Sequence, residues 1–247
     1  MFNLKMDDAK ALKNIFDAVV TLIEEGPVEI SENGLFLRAI DPSQIAMVTL
    51  NIPKETFSSY EVDKKDLIGL NFVHMVKILS RAKSGESIAL KNEDSALVIE
   101  FKGGKRKRTF KVPLLDAKDL ITKEVKVEAE ATVYVNAGEL KDSFKDAELV
   151  STFLTLEASA EKLEMNVRGD GGKLVVEFDK ENGTKIDMKD SDKARASFSL
   201  EYLANIVKAC PDTNELKLFI KSDNPLKVEY HVNQAELSYF LAPRREE

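Results

Sequence analysis

Several residues in this sequence belong to types that can carry chemistry, but their spacing favours none of the common sites. His74 and His231 are far apart and Cys210 is the single cysteine, so neither a zinc spacing nor an internal disulfide is expected. The stretch "RGDGGK" (168–173) lacks the Lys-Ser/Thr ending of a phosphate-binding loop and predicts a turn. We therefore expect no catalytic residue, no metal and no cofactor.

Acidic residues also fall at predicted turns in both halves of the chain, which favours turn chemistry over catalysis. These turn residues are Asp41, Asp94, Asp170 and Asp223. A metal-dependent nuclease of the α+β class is the enzymatic alternative. It requires carboxylates that converge on metal ions, and no such cluster can be assembled from the sequence.

Basic residues recur on the polar faces of four predicted helices. The stretch "ALKNIFDA" (11–18) has a relative in "ELKDSFKDA" (139–147), with lysine again opposite the apolar stripe. The formal net charge is −7, so a recurring positive face in an acidic chain predicts contact with phosphates. The alternative is that these are ordinary solvated helix faces.

The two halves of the sequence repeat one pattern of helices and alternating strands. Helices are predicted at about 8–24, 72–83, 137–147 and 200–210, and Asn136 with Glu139 resembles a capping box. Strands outnumber helices, which predicts an α+β fold with antiparallel sheets. We expect an N-terminal domain at 1–116, a connector at 117–127 and a C-terminal domain at 128–247.

The composition indicates a protein of the cytoplasm. No run of 18 apolar residues could span a membrane, and the N-terminus lacks the layout of a secretion signal. Cys210 sits in an apolar helical pattern and is predicted to be a buried core residue. A eukaryotic source would place the same protein in the nucleus.

Four stretches carry a resemblance to a known family: "LRAIDPSQIAMVTLNI" (37–52), "GLNFVHMVKIL" (69–79), "NPLKVEY" (224–230) and "SYFLAP" (238–243). Over its whole length the chain resembles the sliding clamps of archaea and eukaryotes, the proliferating cell nuclear antigen family, and most of all the archaeal members. The resemblance implies two clamp domains per chain, with antiparallel sheets outside and helices lining a ring. It implies a homotrimer that encircles duplex DNA without sequence preference.

Simple geometry agrees with three subunits. Twelve helices, each roughly 10 Å across, form a circle with an opening of about 28 Å, whereas eight would leave about 15 Å. The smaller opening barely exceeds the major groove's own width of about 12 Å, so a duplex could not pass.

The resemblance also implies partners and three sets of site residues. The expected partners are DNA, a clamp loader, DNA polymerase, and flap endonuclease and DNA ligase through clamp-binding peptides, with no membrane. The expected DNA-facing residues are Lys10, Lys13, Lys77, Arg81, Lys141, Lys145 and Lys208. The expected peptide pocket is Ile40, Gln44, Ile45, Met47, Leu120, Pro225, Phe240, Ala242 and Pro243. The expected subunit interface pairs Thr109, Phe110, Lys111 and Val112 with Leu174, Val175, Val176 and Glu177 of the next copy.

Two alternatives stay open at this point. The chain could belong to a mixed ring or to a specialised, checkpoint-like clamp. The basic run "KRKR" (105–108) follows a Gly-Gly turn, which favours a solvated hairpin over a nuclear-localisation patch.

Overall fold

Each half of the chain contains two α-helices and nine strands, in the same order, within the residues that the structure describes. The computed structural model describes residues 1–117, 127–181, 183–189 and 191–244. The first half contains β1 (Phe2–Met6), α1 (Ala9–Val20), β2 (Glu25–Ser31), β3 (Gly34–Ile40), β4 (Ala46–Pro53), β5 (Ser59–Val62), β6 (Asp66–Asn71), α2 (Phe72–Leu79), β7 (Ser87–Glu93), β8 (Ala96–Gly103) and β9 (Arg106–Pro113). The second half contains β10 (Ala131–Asn136), α3 (Ala137–Glu148), β11 (Phe153–Ser159), β12 (Lys162–Gly169), β13 (Gly172–Asp179), β14 (Lys185–Met188), β15 (Lys193–Ser199), α4 (Leu200–Val207), β16 (Glu215–Ile220), β17 (Leu226–Val232) and β18 (Ala235–Leu241).

The chain forms two compact units. One comprises Met1–Ile40, Val48–Thr122 and Val232–Leu237. The other comprises Asp41–Met47, Lys123–His231 and Ser238–Glu247. The predicted connector at 117–127 lies almost entirely outside the described residues.

The first unit is built from antiparallel sheet and two packed helices. One sheet has the order β5-β1-β7-β8-β9, and β2 lies between β3 and β6. Alternate side chains in these strands are buried, as a sheet with one covered face requires. The rings of Phe16 in α1 and Phe72 in α2 stack with their centroids 5.9 Å apart, which joins the two helices over this core.

The second unit repeats the arrangement. One sheet has the order β13-β12-β11-β15, while β10 lies between β14 and β16. The apolar faces of α3 and α4 are buried, with Leu140 and Leu203 each 1% exposed. These two units confirm the predicted α+β class with repeated domains and antiparallel sheets.

Three helices end earlier than the sequence predicts. The first was expected to reach residue 24, but α1 ends at Val20, and the Leu22 and Ile23 amides both bond the Val19 carbonyl. Similarly, α2 ends at Leu79 and α4 at Val207. The apolar spacing continues past each end because the apolar residues that follow, such as Ile23, Ala82 and Cys210, are still buried or half-buried, although the backbone has left the helix.

Three helices, α1, α2 and α3, begin at a residue whose side chain caps the first turn, whereas Ser199 before α4 makes no such hydrogen bond. The Asn136 side chain accepts a hydrogen bond of 3.1 Å from the Glu139 amide at the start of α3. Asp8 and Asn71 cap α1 and α2 in the same way. Within the described part of the chain, no helix is long and apolar enough to cross a membrane.

Candidate functional site: helix faces, pocket loop and sheet edges

In the first unit, the predicted basic residues of α1 and α2 reach solvent. Lys10, Lys77 and Arg81 are exposed, and none of them has a carboxylate partner among the described residues. Lys13 differs because its ammonium pairs with Asp17 one turn further on, and both side chains are about one-third exposed. The unpaired cations are therefore the ones with charge left to attract a phosphate.

In the second unit, the predicted basic residues divide in the same manner. Lys141 is largely buried, donates to the Cys210 carbonyl and pairs with Asp212 at 2.7 Å. Lys145 is exposed but pairs with Asp142 at 2.8 Å, and that carboxylate raises the pKa of the lysine. Lys208 is exposed beyond the end of α4 and has no ion pair within the described residues.

Lys141 also contacts the backbone of the single cysteine, Cys210. The ammonium lowers the pKa of Asp212 through a hydrogen bond. Cys210 itself is buried, and burial raises the pKa of its thiol to about 11. A thiol that stays protonated near neutral pH is a poor nucleophile, so the predicted structural role of Cys210 in the core is confirmed.

A loop at Asp41–Met47 carries much of the predicted pocket, and one buried carboxylate holds it together. Asp41 is 4% exposed. Its Oδ1 accepts hydrogen bonds from the amides of Ile45 (2.8 Å) and Ala46 (2.6 Å), and its Oδ2 from the Ser43 amide (3.0 Å). The Tyr202 hydroxyl of α4 donates to the same Oδ2 at 2.9 Å. Burial raises the pKa of Tyr202, which keeps its hydroxyl a donor.

The loop displays apolar side chains to solvent. Ile45 is 39% exposed, whereas Met47 turns inward and is 5% exposed. Gln44 has a φ of 58°, a left-handed conformation that is uncommon for a residue other than glycine. Such a fixed, strained turn positions Ile45 more precisely than a mobile loop would.

The C-terminal segment supplies further predicted pocket residues. The Ala242 amide donates to the Ile45 carbonyl at 2.9 Å, which ties this segment to the loop. The Phe240 ring is mostly buried, and the Lys227 ammonium lies 5.7 Å from its centroid. Pro225 and Pro243 are half-buried.

Two predicted pocket residues cannot be placed beside these. Ile40 belongs to the first unit and is 44% exposed. Leu120 lies outside the described residues.

The predicted interface residues lie on two long sheet edges. β9 is the last strand of the first unit's five-stranded sheet and contains residues 109–112. β13 is the first strand of the second unit's four-stranded sheet and contains residues 174–177. The basic run 105–108 begins in the turn before β9, where Gly104 has a φ of 56°, so it forms part of a hairpin.

One apolar residue of interest was missed in the sequence analysis. Leu149, just after α3, is 79% exposed. A Cβ added to Gly171 would lie only 2.5 Å from the Leu149 carbonyl oxygen, so Leu149 adjoins the β12–β13 turn. The periodicity of α3 places Leu149 outside its apolar stripe, and that mismatch is the only signal the sequence offers.

No cluster of three or more His, Cys, Asp or Glu side chains that could hold a metal ion occurs among the described residues.

Comparison with known proteins agrees with this architecture. Residues 1–128 match the model of the proliferating cell nuclear antigen N-terminal domain, and residues 124–245 match that of its C-terminal domain. The "DNA polymerase sliding clamp" of Thermococcus gammatolerans is 33% identical over 100% of this chain and 99% of its own length. The one from Pyrococcus furiosus is 31% identical with the same coverage.

Solved structures give the same result. The crystal structure of PCNA from Thermococcus kodakaraensis matches with a TM-score of 0.93 and 27% identity, covering 99% of this chain and 100% of that one. The structure described as "C-terminal region of FEN-1 bound to A. fulgidus PCNA" matches with a TM-score of 0.88 and 26% identity over the full length of both chains. The fold is thus that of the DNA clamps.

The chain belongs to the proliferating cell nuclear antigen family. Its named relatives are archaeal, as the sequence predicts. The family consists of sliding clamps, which are processivity factors and not enzymes, so the predicted non-enzymatic clamp function is confirmed.

We expect Asp41→Ala to loosen the pocket loop. Removing the carboxylate leaves three backbone N–H groups without their acceptor, at a cost of about 2–3 kcal/mol. Hydrogen exchange at the Ile45 and Ala46 amides should quicken by roughly 30- to 100-fold. Tyr202→Phe is the matched control, since it removes only the hydroxyl bond and should cost about 1 kcal/mol. Unchanged protection in Asp41→Ala would mean that the carboxylate does not hold the loop.

Proposed function

We propose that this chain forms a homotrimeric ring that encircles duplex DNA, tethers DNA polymerase and recruits other replication and repair proteins. The functional domains are 1–116 and 128–247, joined by a connector at 117–127, and the protein works in the cytoplasm, associated with the nucleoid. The observation that carries the ring is the pair of long, uncovered sheet edges, β9 and β13.

These two edges differ from the others in the described structure. The β15 edge is covered by irregular backbone, because Asp223 donates to Arg195 and Arg244 to Ser197. The β6 edge is bridged by Leu115. β9 and β13 each have eight residues and no comparable cover within the described chain. Long open edges invite pairing with another chain, so head-to-tail pairing of β9 with β13 of the next copy supports a closed ring.

Apolar groups lie beside both edges. Leu149, beside β13, is 79% exposed, and Val175, within β13, is 39% exposed. Next to β9, an open recess of about 620 Å³ is lined by the apolar Ile78 and Phe110 and, at its polar side, by residues that include Lys77 and Arg81. We propose that Leu149 of one copy enters this recess of the next, which would bury apolar surface alongside the paired strands.

The native mass tests the ring. We expect about 83 kDa, three times the chain's 27.6 kDa, by light scattering across a dilution series. Leu149→Lys should place a further cation beside Lys77 and Arg81 of the recess and shift the mass to 27.6 kDa at concentrations where the unaltered protein is trimeric.

The control is Ile45→Asp, a charge placed at an exposed apolar residue outside the proposed contact, and it should leave the mass unchanged. A persistent monomer of the unaltered chain would instead favour a mixed ring with sister subunits.

The proposed mode of DNA binding is topological. A closed ring needs only weak contacts with the phosphates, and salt-screened lysines permit sliding. We propose that Lys10, Lys77, Arg81 and Lys208 provide most of the attraction, because their charges have no carboxylate partner in the described structure. Lys13, Lys141 and Lys145 contribute less, since each is paired.

Two double variants separate these groups. Lys77→Ala with Lys208→Ala removes two unpaired cations, and Lys13→Ala with Lys145→Ala removes two paired ones. Both change the net charge equally. The first should lower clamp-stimulated DNA synthesis severalfold at about 0.1 M salt, and the second should do so less. Equal effects would contradict the distinction between paired and unpaired residues.

The loop and C-terminal segment suit a partner peptide. Ile45, Ala242 and Pro243 offer an apolar surface held by the Asp41 carboxylate, and such surfaces receive apolar and aromatic anchors. FEN-1 is bound through its C-terminal region in the A. fulgidus relative. We propose the same mode here for a flap endonuclease, DNA ligase and DNA polymerase, with a clamp loader opening the ring.

Ile45→Asp tests the pocket. A carboxylate at this position must be desolvated by any apolar anchor, so the affinity for a fluorescent C-terminal peptide of an archaeal flap endonuclease should fall by at least tenfold. Leu149→Asp is the control, because the proposed pocket does not include Leu149. Unaltered affinity in Ile45→Asp would rule out this site.

A further inference from the structure

The second unit has a polar groove that none of the sites above includes. It lies on the sheet β13-β12-β11-β15 and has a volume of about 1010 Å³. Its lining combines the Phe153 ring with three arginines, Arg168, Arg195 and Arg244. A concave surface with converging guanidinium groups is suited to a ligand that carries carboxylates.

The groove faces away from the basic helices. Leu154 and Leu156 of β11 are buried on the side of the sheet against which α4 packs. Thr155, between them, points to the opposite side and lines the groove. A duplex held by Lys208, just beyond α4, therefore does not reach this surface.

The acidic residues of the groove are already neutralised. Glu164 pairs with Lys162 at 2.7 Å, and Glu157 pairs with Lys193 at 2.6 Å. The Glu157 carboxylate also lies 3.9 Å from Arg195. Arg168 is exposed and has no ion pair within the described residues, so the groove has a net positive character.

Arg244 is held in a defined position. Its guanidinium lies 3.9 Å from the centroid of the Phe153 ring, and its backbone amide donates to the Ser197 carbonyl at 2.7 Å. Stacking on an aromatic face fixes a guanidinium while leaving its N–H donors free to bind oxygen. The floor of the groove also carries two hydroxyl groups, and the Thr155 Oγ1 and Ser197 Oγ atoms lie 2.7 Å apart.

The groove also adjoins the pocket loop. Ala242 bonds to Ile45, and Arg244, only two residues further on, bonds to β15. Two residues span at most about 7 Å. A partner that binds at Ile45 is therefore within reach of the groove. Only this link between the two surfaces rests on the proposed peptide pocket.

We propose that the groove binds an acidic segment of a partner protein, with carboxylates paired to Arg168 and Arg244. The net charge of −7 weakens the attraction of acidic peptides to the surface as a whole. The two arginines, with planar guanidinium groups suited to carboxylates, add selectivity for partners beyond their apolar anchors.

Fluorescein-labelled hexaglutamate is the probe for this proposal, measured by anisotropy at about 50 mM salt, where surface charges are weakly screened. The unaltered protein should bind hexaglutamate and not hexaglutamine. Arg168→Gln with Arg244→Gln should weaken binding by about tenfold or more, since charge-assisted bidentate pairs are lost. Arg168→Lys with Arg244→Lys should give an intermediate loss, because charge is kept without the fork geometry.

Lys54→Gln with Lys64→Gln is the matched control, since both lysines are exposed and the net charge changes equally. It should leave hexaglutamate binding within about twofold of the unaltered protein, and a loss equal to that of the arginine variant would overturn the proposal. Ile45→Ala, which removes the proposed apolar contact without adding a charge near Arg244, should bind hexaglutamate normally, and this separates failure of the pocket from failure of the groove. If the arginine variant instead loses affinity for a duplex oligonucleotide by the same factor, the groove is a nucleic-acid surface and the proposal is wrong.

Discussion

Backbone hydrogen bonding at the sheet edges is the constraint on which the clamp architecture depends. A strand at an edge offers a row of N–H and C=O groups that need partners, and a long open edge promotes aggregation unless it is paired or covered. This chain covers β15 and β6 with its own irregular segments and keeps β5 and β14 to four residues each. That leaves β9 in the first half of the chain and β13 in the second, each at the edge of its sheet. Two complementary, non-identical edges on one chain favour head-to-tail assembly. Such an assembly forms a ring if the rotation between neighbouring copies closes, and a filament if it does not.

The distribution of charge on this chain suits weak, reversible contact with DNA. The chain is acidic overall, and three of its seven predicted DNA-facing cations are already paired with carboxylates. Ion pairs at the surface add little stability because water and salt screen them, so these pairs are of little use in holding the fold together. In the proposed ring, their stronger effect is to reduce the positive charge available to phosphates, which lowers the affinity of the ring for the DNA inside it. A tether that encloses its substrate works better with such reduced attraction, because tight contacts would stop it from sliding.

Much of the fold could be predicted from the sequence because the repeat presents the same apolar spacing twice. Helix ends were less predictable, since Leu22 and Ile23 continue the apolar pattern of α1 into a buried turn. The pairing of Lys141 with Asp212 joins residues 71 positions apart, and helical spacing gives no indication of it. The stacking of Arg244 on Phe153 is equally remote in sequence. Local patterns thus predict which residues face solvent, whereas the partners of their charges depend on tertiary contacts.

Asp41 shows how such a remote contact serves the function of the whole molecule. One of its carboxylate oxygens bonds the pocket loop alone, and the other is shared between the Ser43 amide and the Tyr202 hydroxyl of α4. Tyr202 lies on the helix that precedes Lys208, so the surface proposed for partners and a residue proposed for DNA are fixed to one buried group. DNA held only by weak, sliding contacts cannot orient a bound enzyme by itself. The protein must supply that orientation, and a buried charge with four hydrogen-bond donors is a rigid means of doing so.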